Sequence, residues 1–360
     1  MGDAGSSSKA HHKRNNDGFQ NPWESFRKES AKLSVSIMSK STKKEPSKVD
    51  IAALQLLAQR PNFSLAEPAF RETRKNVGVT WIGHNTFVLQ LFGLTVLTDP
   101  NFSMKASSPF VLNPGGVKRI VPPPCKIADL PTIDVVVISA DRTDKLDKAT
   151  IKELGNRCKY LVPLKVGQTL ESFGISKDNI IELDWWEDYT QNGVRIVSCP
   201  SQYTSGTMCV DGKSSSALWC SWAFLGVRSR VFYCGASGYR SCKRGQTFLP
   251  YKERLETPPC PAFAEIGSKL GPFDTAFLPI GNYSPRHLIS SLMMDPMDAT
   301  CAHRDLQARQ SVAHGWGTFN LGGDEDTLDA LRLLEEAMMM VGLSDSEFLV
   351  QNHGTTKVLY

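Results

Sequence analysis

The chain contains no apolar run of about 18 residues, the length that a membrane-spanning helix requires. Its polar N-terminus also lacks the apolar core of a secretory signal peptide. Nine cysteines are present, an odd number, and no two of them form a C-x-x-C pair. We therefore expect an intracellular protein with reduced thiols, either cytoplasmic or held peripherally at a membrane.

Strong charge of one sign is missing as well, since the formal net charge is only +4. Nucleic-acid-binding domains normally carry a concentrated basic surface, so no nucleic-acid partner is expected. Such a mild positive charge still permits attraction to anionic lipid. What the chain does have is 41% hydrophobic residues over 360 positions, enough for one large core or two ordinary ones.

Composition divides the chain into three parts. Residues 1–20 offer almost nothing to bury, which predicts a disordered N-terminus with solvated His11 and His12 side chains. Residues 21–75 form a basic arm with interleaved apolar side chains, which can lie on an anionic membrane or wrap around the domain. Residues 76–360 are predicted to form the folded domain.

Strand patterns alternate with helical ones through the folded domain. Runs rich in β-branched and apolar residues predict strands at 77–82, 86–91, 94–97, 133–138, 161–163, 180–183, 194–198, 217–224, 230–234, 275–278 and 311–313. Helical patterns occur near 166–174, 262–269, 296–308 and 325–341. A stretch near 240–259, rich in Lys, Arg and Pro, predicts a surface insertion. Two strand-rich halves, each ending in helices, predict an α/β fold in which two sheets pack face to face with helices outside.

Several motifs resemble the N-acylphosphatidylethanolamine-hydrolysing phospholipase D family of the metallo-β-lactamase superfamily. They are Val79–Thr86 (VTWIGHNT), Leu97–Ser103 (LTDPNFS), Leu183–Glu187 (LDWWE), Cys260–Gly267 (CPAFAEIG), Gly271–Asp274 (GPFD), Leu278–Gly281 (LPIG) and Trp316–Phe319 (WGTF). The match runs from about Asn21 to Gly354, nearly the whole chain. The resemblance implies an αββα sandwich, two zinc ions and hydrolysis of a phosphodiester in a membrane phospholipid. It also implies action at membrane surfaces and dimer formation.

The resemblance implies seven metal-ligand positions, and this sequence keeps one ligand. After the strand at 133–138 the superfamily carries H-x-H-x-D-H, and further ligands follow Pro-Ser-Gln, lie in Gly-Asp-Thr-Gly-Tyr and precede Trp-Gly-Thr-Phe. The residues at these degenerate metal-site positions are, in chain order, Ala140, Arg142, Asp144, Lys145, Tyr203, Ala236 and Gly315. Only Asp144 is an unchanged ligand, so the sequence predicts no metal cofactor and no catalytic residue at this centre.

The replacements also oppose a metal electrostatically. Ala140, Ala236 and Gly315 offer no side-chain lone pair, whereas Arg142 and Lys145 carry fixed positive charge. Two unit charges at 4 Å repel by about 4 kcal/mol at an effective dielectric near 20, and a divalent ion doubles that. We expect the two cations to pair internally with the remaining carboxylate. The alternative is that both reach into solvent.

Two functional hypotheses from different classes remain open. The first is a catalytically inactive relative that keeps the scaffold to bind a phospholipid, an acyl amide or a protein partner, as a homodimer or with an active relative. The second is a residual hydrolase that uses Asp144, Tyr203 and His314 with an altered or metal-poor site. His314 lies one residue before the last ligand position, and such a shift in an extended segment turns a side chain to the opposite face. His84 and His303 are expected to be hydrogen-bonded rather than ligating. An unselected remnant is a third, weaker option.

Overall fold

The computed structural model is built from two large β-sheets. It describes residues 9–13, 18–27, 47–65, 76–106, 116–206, 216–243, 253, 257–321 and 323–359. Within these ranges each large sheet has seven strands, and a two-stranded ribbon, β4 (Lys105–Ala106) and β5 (Val117–Lys118), lies apart from both. None of the helices in these ranges has the length and hydropathy of a bilayer-spanning segment. The intracellular location stays a prediction.

The first sheet mixes antiparallel and parallel strands. Its members are β1 (Val77–Gly83), β2 (Thr86–Leu91), β3 (Leu94–Thr98), β6 (Val135–Val137), β7 (Lys159–Pro163), β8 (Ile180–Leu183) and β16 (Thr356–Leu359). Their order across the sheet is β16-β1-β2-β3-β6-β7-β8. β1, β2 and β3 form an antiparallel meander, and β6 then joins β3 in parallel, with Leu97 paired to Val136.

The second sheet holds the later strands. Its members are β9 (Asp188–Gln191), β10 (Val194–Cys199), β11 (Ser221–Leu225), β12 (Arg230–Tyr233), β13 (Phe273–Pro279), β14 (Ala308–His314) and β15 (Phe348–Leu349). Their order is β15-β14-β13-β12-β11-β10-β9. β13 and β14 run parallel, with Pro279 paired to His314 at their carboxyl ends.

Helices flank the two sheets. They are α1 (Lys48–Leu57), α2 (Lys148–Leu154), α3 (Gly167–Ser172), α4 (Ala262–Leu270), α5 (Arg286–Ile289), α6 (Pro296–Asp305) and α7 (Asp329–Val341). The three valines of the short strand β6 show how the sheet lies between two hydrophobic cores. Val135 and Val137 belong to the core between the sheets, whereas Val136 packs in a second core with Ile151 of α2. The predicted two-sheet α/β sandwich is therefore confirmed, and burial of β6 on both faces explains its unbroken apolar run.

The N-terminus departs from the sequence-based expectation. His11 is buried, with 7% of its surface exposed, and Phe19 is buried with it, although a solvated His11 side chain was predicted. The expectation of a solvated His11 is wrong because Asp184 and Trp185, far along the chain, provide partners for its ring, and the disordered N-terminus stays a prediction. Residues 1–8 and 14–17 lie outside the described ranges, and the domain boundaries at 20 and 75 stay predictions.

Two other predicted regions are described only in part. The basic arm includes α1, but residues 28–46 and 66–75 lie outside the described residues. Most of the predicted insertion near 240–259 also lies outside them, namely 244–252 and 254–256. Whether the arm lies on a membrane or wraps the domain therefore stays open.

Candidate functional site

The candidate site is centred on the loop that connects β6 to α2. Ser139 is anchored to the second sheet because its carbonyl accepts a hydrogen bond from the Cys220 N–H at 2.8 Å. The chain then turns tightly, and the N–H of Lys145 donates to the Arg142 carbonyl at 2.9 Å. Asp147 ends the loop as the N-cap of α2, where its side chain accepts from the Thr150 N–H.

The turn directs the side chains of Asp144 and Lys145 into the protein interior, where they form a buried ion pair. The Lys145 ammonium donates to Asp144 Oδ2 at 2.6 Å, and each side chain has 1% of its surface exposed. Arg142 adds a second cation, with Nε 4.0 Å from Asp144 Oδ1 and 1% of its side chain exposed. The predicted internal pairing is confirmed, and the alternative in which both cations reach solvent is wrong.

His84 completes the immediate surroundings of the carboxylate. Its Nε2 hydrogen-bonds Asp144 Oδ2 at 3.0 Å, so His84 is hydrogen-bonded as expected. Burial alone would raise the pKa of Asp144, but the charge of Lys145 and the His84 hydrogen bond hold that pKa well below its usual range. Burial lowers the pKa of His84, which therefore favours the neutral ring. Asp144 remains ionised at neutral pH, balanced mainly by the Lys145 ammonium.

Tyr203 lies against the two cations. Its ring centroid is 5.1 Å from Lys145 Nζ and 5.3 Å from Arg142 Cζ, distances at which a ring face attracts a cation. Asn21 reaches the same residue from the N-terminal arm, because its side-chain amide donates to the Tyr203 carbonyl at 2.8 Å. Tyr203 is thus buried, and its ring faces the two cations.

The positions without polar side chains belong to the same region. The Gly315 N–H donates to the His84 carbonyl at 3.1 Å. Ala236 is buried, and its neighbour Ser237 accepts a hydrogen bond from the Gln202 N–H at 2.9 Å. Ala140 pairs with Trp219 in an isolated β-bridge. These contacts connect Gly315 to Asp144 through His84 and place the residue after Ala236 against the residue before Tyr203.

His314 is placed differently from the rest of the alternative residual site. It is the last residue of β14, and its Nδ1 hydrogen-bonds Asn85 Oδ1 at 3.1 Å. Its ring stacks on Tyr233 at 5.7 Å, inside the core between the sheets. Burial lowers the pKa of His314 far below its usual value. Lys145 contacts Asp144 and Tyr203, the other two residues of the alternative residual site. The described hydrogen bond of His314 instead goes to Asn85.

Sequence reasoning missed a second buried carboxylate. Asp99, directly after β3, accepts hydrogen bonds from the Ser139 N–H and hydroxyl at 2.6 Å and from the Tyr233 hydroxyl at 2.7 Å. Burial raises the pKa of Asp99 to about 6, and the nearby Lys145 charge opposes that rise. Because Tyr233 belongs to β12, Asp99 ties the two sheets together beside the candidate site. The position of Asp99 in a Thr-Asp-Pro turn was the available signal.

The donor set does not fit a dinuclear zinc centre. Each zinc ion needs about four ligands, mainly imidazole nitrogen and carboxylate oxygen. Here the remaining carboxylate already binds an ammonium group, and a guanidinium group lies beside it. His84 Nε2 is bonded to that carboxylate and His314 Nδ1 to an amide, and within the described ranges neither ring belongs to a group of three ligand atoms that lie within 4.8 Å of one another. We therefore derive no chemistry through a metal at this position.

A second cluster lies at the N-terminal segment. Within the described ranges, one group of His, Cys, Asp or Glu side chains has three ligand atoms within 4.8 Å of one another: His11, His12 and Asp184. His11 Nε2 lies 2.7 Å from Asp184 Oδ1, and His12 Nε2 lies 2.9 Å from Oδ2. Burial would raise the pKa of Asp184, but hydrogen bonds from His11 and Lys9 lower it. Nothing in the sequence spacing indicated this cluster.

His303 is not part of either cluster, and it hydrogen-bonds Ser311 Oγ at 2.8 Å, as expected.

Comparison with known proteins gives a consistent picture. Residues 95–316 match the family model of the beta-lactamase superfamily domain. N-acyl-phosphatidylethanolamine-hydrolyzing phospholipase D 1 of Caenorhabditis elegans is 32% identical over 286 residues, covering 76% of this chain and 74% of that protein. An uncharacterised protein of Mycobacterium tuberculosis is 36% identical over 272 residues, covering 73% of this chain but only 66% of its own length. An isothiocyanate hydrolase from Delia radicum gut bacteria shares the fold, with a TM-score of 0.55 at 20% identity, covering 78% of this chain and 98% of that one.

Proposed function

Because the chain belongs to the beta-lactamase superfamily and is homologous to an N-acyl-phosphatidylethanolamine-hydrolyzing phospholipase D, we propose that it is a non-catalytic relative of that enzyme. The proposal is that a buried Lys145–Asp144 ion pair has replaced the metal centre, while the scaffold is kept for binding. The single observation that carries the proposal is the position of the Lys145 ammonium, 2.6 Å from the one carboxylate that the metal site would need.

Lack of access supports the proposal of inactivity. A metal-dependent phosphodiesterase must bring its substrate's phosphorus to a metal-bound water or hydroxide. Asp144, Lys145 and Tyr203 are each only 1% exposed, so within the described part of the chain they present almost no surface to a phospholipid head group. A general acid or base must come within hydrogen-bond reach of the proton that it transfers, and side chains with so little exposed surface offer little opportunity for that contact.

Exposed apolar residues on α1 support a binding role at a lipid surface. Leu56 is 86% exposed and Val49 is 76% exposed, and Leu57 and Leu65 are also exposed nearby in the chain. The same arm is rich in lysine, since Lys40, Lys43, Lys44 and Lys48 precede these residues. Apolar side chains beside basic ones favour the interface of an anionic membrane. We propose a phospholipid or acyl amide as the ligand class, and a second copy or an active relative as the protein partner.

Turnover and lipid binding test the two parts of this proposal separately. We expect purified protein, supplied with zinc, not to hydrolyse N-acylphosphatidylethanolamine. Turnover that Asp144→Asn abolishes would overturn the proposal and favour a residual hydrolase using Asp144, Tyr203 and His314.

Binding is measured with vesicles that contain phosphatidylserine. We expect co-sedimentation to weaken in Leu56→Ser/Leu57→Ser, because these side chains supply apolar area to the interface. Val227→Ser is the matched control, since Val227 is 85% exposed in the turn between β11 and β12. Equal binding by all three proteins, or none by the unmodified chain, would refute the lipid-surface role.

A further inference from the structure

The N-terminal segment and the turn after β8 converge on a single carboxylate. Asp184 Oδ1 accepts from His11 Nε2 at 2.7 Å and from the Trp185 N–H at 2.8 Å. Asp184 Oδ2 accepts from His12 Nε2 at 2.9 Å and from the Lys9 ammonium at 2.6 Å. Lys9, His11 and His12 are each more than 170 positions from Asp184 in the chain, so their convergence is a tertiary feature.

We propose that His11, His12 and Asp184 form a binding site for one divalent transition-metal ion of the zinc class, which fixes the N-terminal segment to the domain. The site is separate from the Lys145–Asp144 pair, and it does not depend on whether the protein is catalytic. It uses two imidazole nitrogens and one carboxylate, and it leaves a further coordination position for water.

The ligand types and spacing suit such an ion. Zinc binds imidazole nitrogen at about 2.0–2.1 Å and carboxylate oxygen at about 2.0–2.2 Å, so neighbouring ligand atoms around a tetrahedral ion are about 3.3 Å apart. The three ligand atoms already lie within 4.8 Å of one another. The two nitrogen–oxygen separations, 2.7 and 2.9 Å, need to open by only about half an ångström to admit the ion.

Aromatic packing orients both imidazole rings. The His11 ring stacks on Trp185, with centroids 4.1 Å apart and planes 24° apart. The His12 ring meets Phe19 edge to face at 5.0 Å and His11 at 4.6 Å. Fixed ring orientation reduces the conformational entropy that metal binding must otherwise overcome, which favours a site already close to its bound geometry.

Lys9 shows that the position attracts a cation, and it competes with the metal. Its ammonium lies 2.6 Å from Asp184 Oδ2 and 3.6 Å from Glu187 Oε1. The Lys9 side chain is 49% exposed, so it can withdraw into solvent when a metal ion takes its place. Glu187 also accepts from the Asp184 N–H at 2.9 Å, which holds a second carboxylate at the edge of the site. Removal of the Lys9 charge should therefore strengthen metal binding.

Calorimetric titration of the full-length chain with zinc chloride tests the site. We expect one ion per chain, with affinity lowered at least tenfold in His12→Ala and further in His11→Ala/His12→Ala. Lys9→Met should bind more tightly than the unmodified protein, a gain that loss of folding cannot produce. Lys13→Met, which removes a positive charge from the same segment, is the matched control and should be unchanged.

Cobalt substitution gives a second readout. We expect visible absorption bands of low-symmetry cobalt coordination in the unmodified protein and in Lys9→Met, and their loss in His11→Ala/His12→Ala. Zinc affinity that is the same in the unmodified protein and in the double variant would mean adventitious binding only, and would overturn the proposal. Absence of binding to both the unmodified protein and Lys9→Met would also overturn it. Neither result bears on turnover of lipid.

Discussion

Lys145 donates a hydrogen bond to Asp144 Oδ2 at 2.6 Å, and both side chains are excluded from solvent. The two residues are adjacent in the chain, and the turn at Arg142–Lys145 directs both inward. A buried charge is tolerated when a partner and hydrogen bonds compensate for its lost hydration. Here the carboxylate has the ammonium of Lys145 and the imidazole of His84.

Removal of the lysine charge should strongly destabilise the protein. In Lys145→Met the Asp144 carboxylate would lose its buried partner, and breaking a buried pair in this way costs about 3–5 kcal/mol. We expect a lower free energy of unfolding in urea and a lower melting temperature. Lys152→Met, at an exposed position on α2, should change either quantity little. An unchanged melting temperature for Lys145→Met would contradict the pairing.

Asp144 should control part of the acid stability. Its pKa in the folded protein is far below the usual 3.8, so its contribution is fully present above about pH 5 and is lost as pH falls through 3.8 and below. The difference in unfolding free energy between the unmodified protein and Asp144→Asn should therefore be constant near neutrality and shrink in acid. Urea unfolding at a series of pH values measures it. A difference that stays the same down to pH 2.5 would contradict this assignment.

Asp99 should give stability the opposite pH dependence from Asp144. Burial raises its pKa to about 6 from 3.8, so the folded protein binds the proton more tightly than the unfolded chain. This group's stabilising effect is present below about pH 4 and is lost as pH rises to about 6, on the order of 3 kcal/mol in total. Asp99→Asn should therefore gain stability relative to the unmodified protein between pH 4 and 6. A constant difference across that window would refute the raised pKa.

Restoration of the missing ligands should rebuild the metal centre. The change combines substitutions at the six altered positions: Ala140→His, Arg142→His, Lys145→His, Tyr203→His, Ala236→Asp and Gly315→His. We expect the variant to bind two additional zinc ions per chain, measured by plasma emission. Gly315 has φ of 77°, so a histidine there costs about 1 kcal/mol of backbone strain.

The matched control for restoration keeps Lys145 and changes the other five positions. Its ammonium should continue to bind Asp144 and to repel a divalent ion, so zinc binding at the core should stay low. If the folded six-fold variant gained no zinc, the seven positions would not form a metal centre. If the control bound as much zinc as the six-fold variant, Lys145 would not be the residue that excludes the metal.

Much of the fold could be predicted because its strands carry strong local patterns. The valine run of β6 and the long apolar strands β1 and β2 are buried over their whole length, and each was predicted. Short or edge elements were missed, among them α2, β9 and the closing strand β16. Their residues are partly exposed, and their pairing with distant segments decides their conformation.

The candidate site was predicted in its residues but not in all of its contacts. The motif spacing identified Asp144 and Lys145, and elementary electrostatics predicted that they pair. The Asp99 network depends on Ser139 and Tyr233, which lie 40 and 134 residues away in the chain, so no local pattern reports it. The contact of His11 with Asp184 could not be predicted for the same reason, because the two residues are 173 positions apart in the chain.

Zinc content of the His11→Ala/His12→Ala variant, purified in the presence of zinc and measured by plasma emission, tests the central claim most directly. This variant removes the proposed N-terminal site, so only metal held at the core would remain. We predict less than one zinc ion per chain. Two tightly held zinc ions per chain would contradict the account, because the buried Lys145–Asp144 pair and a dinuclear centre cannot occupy the same position.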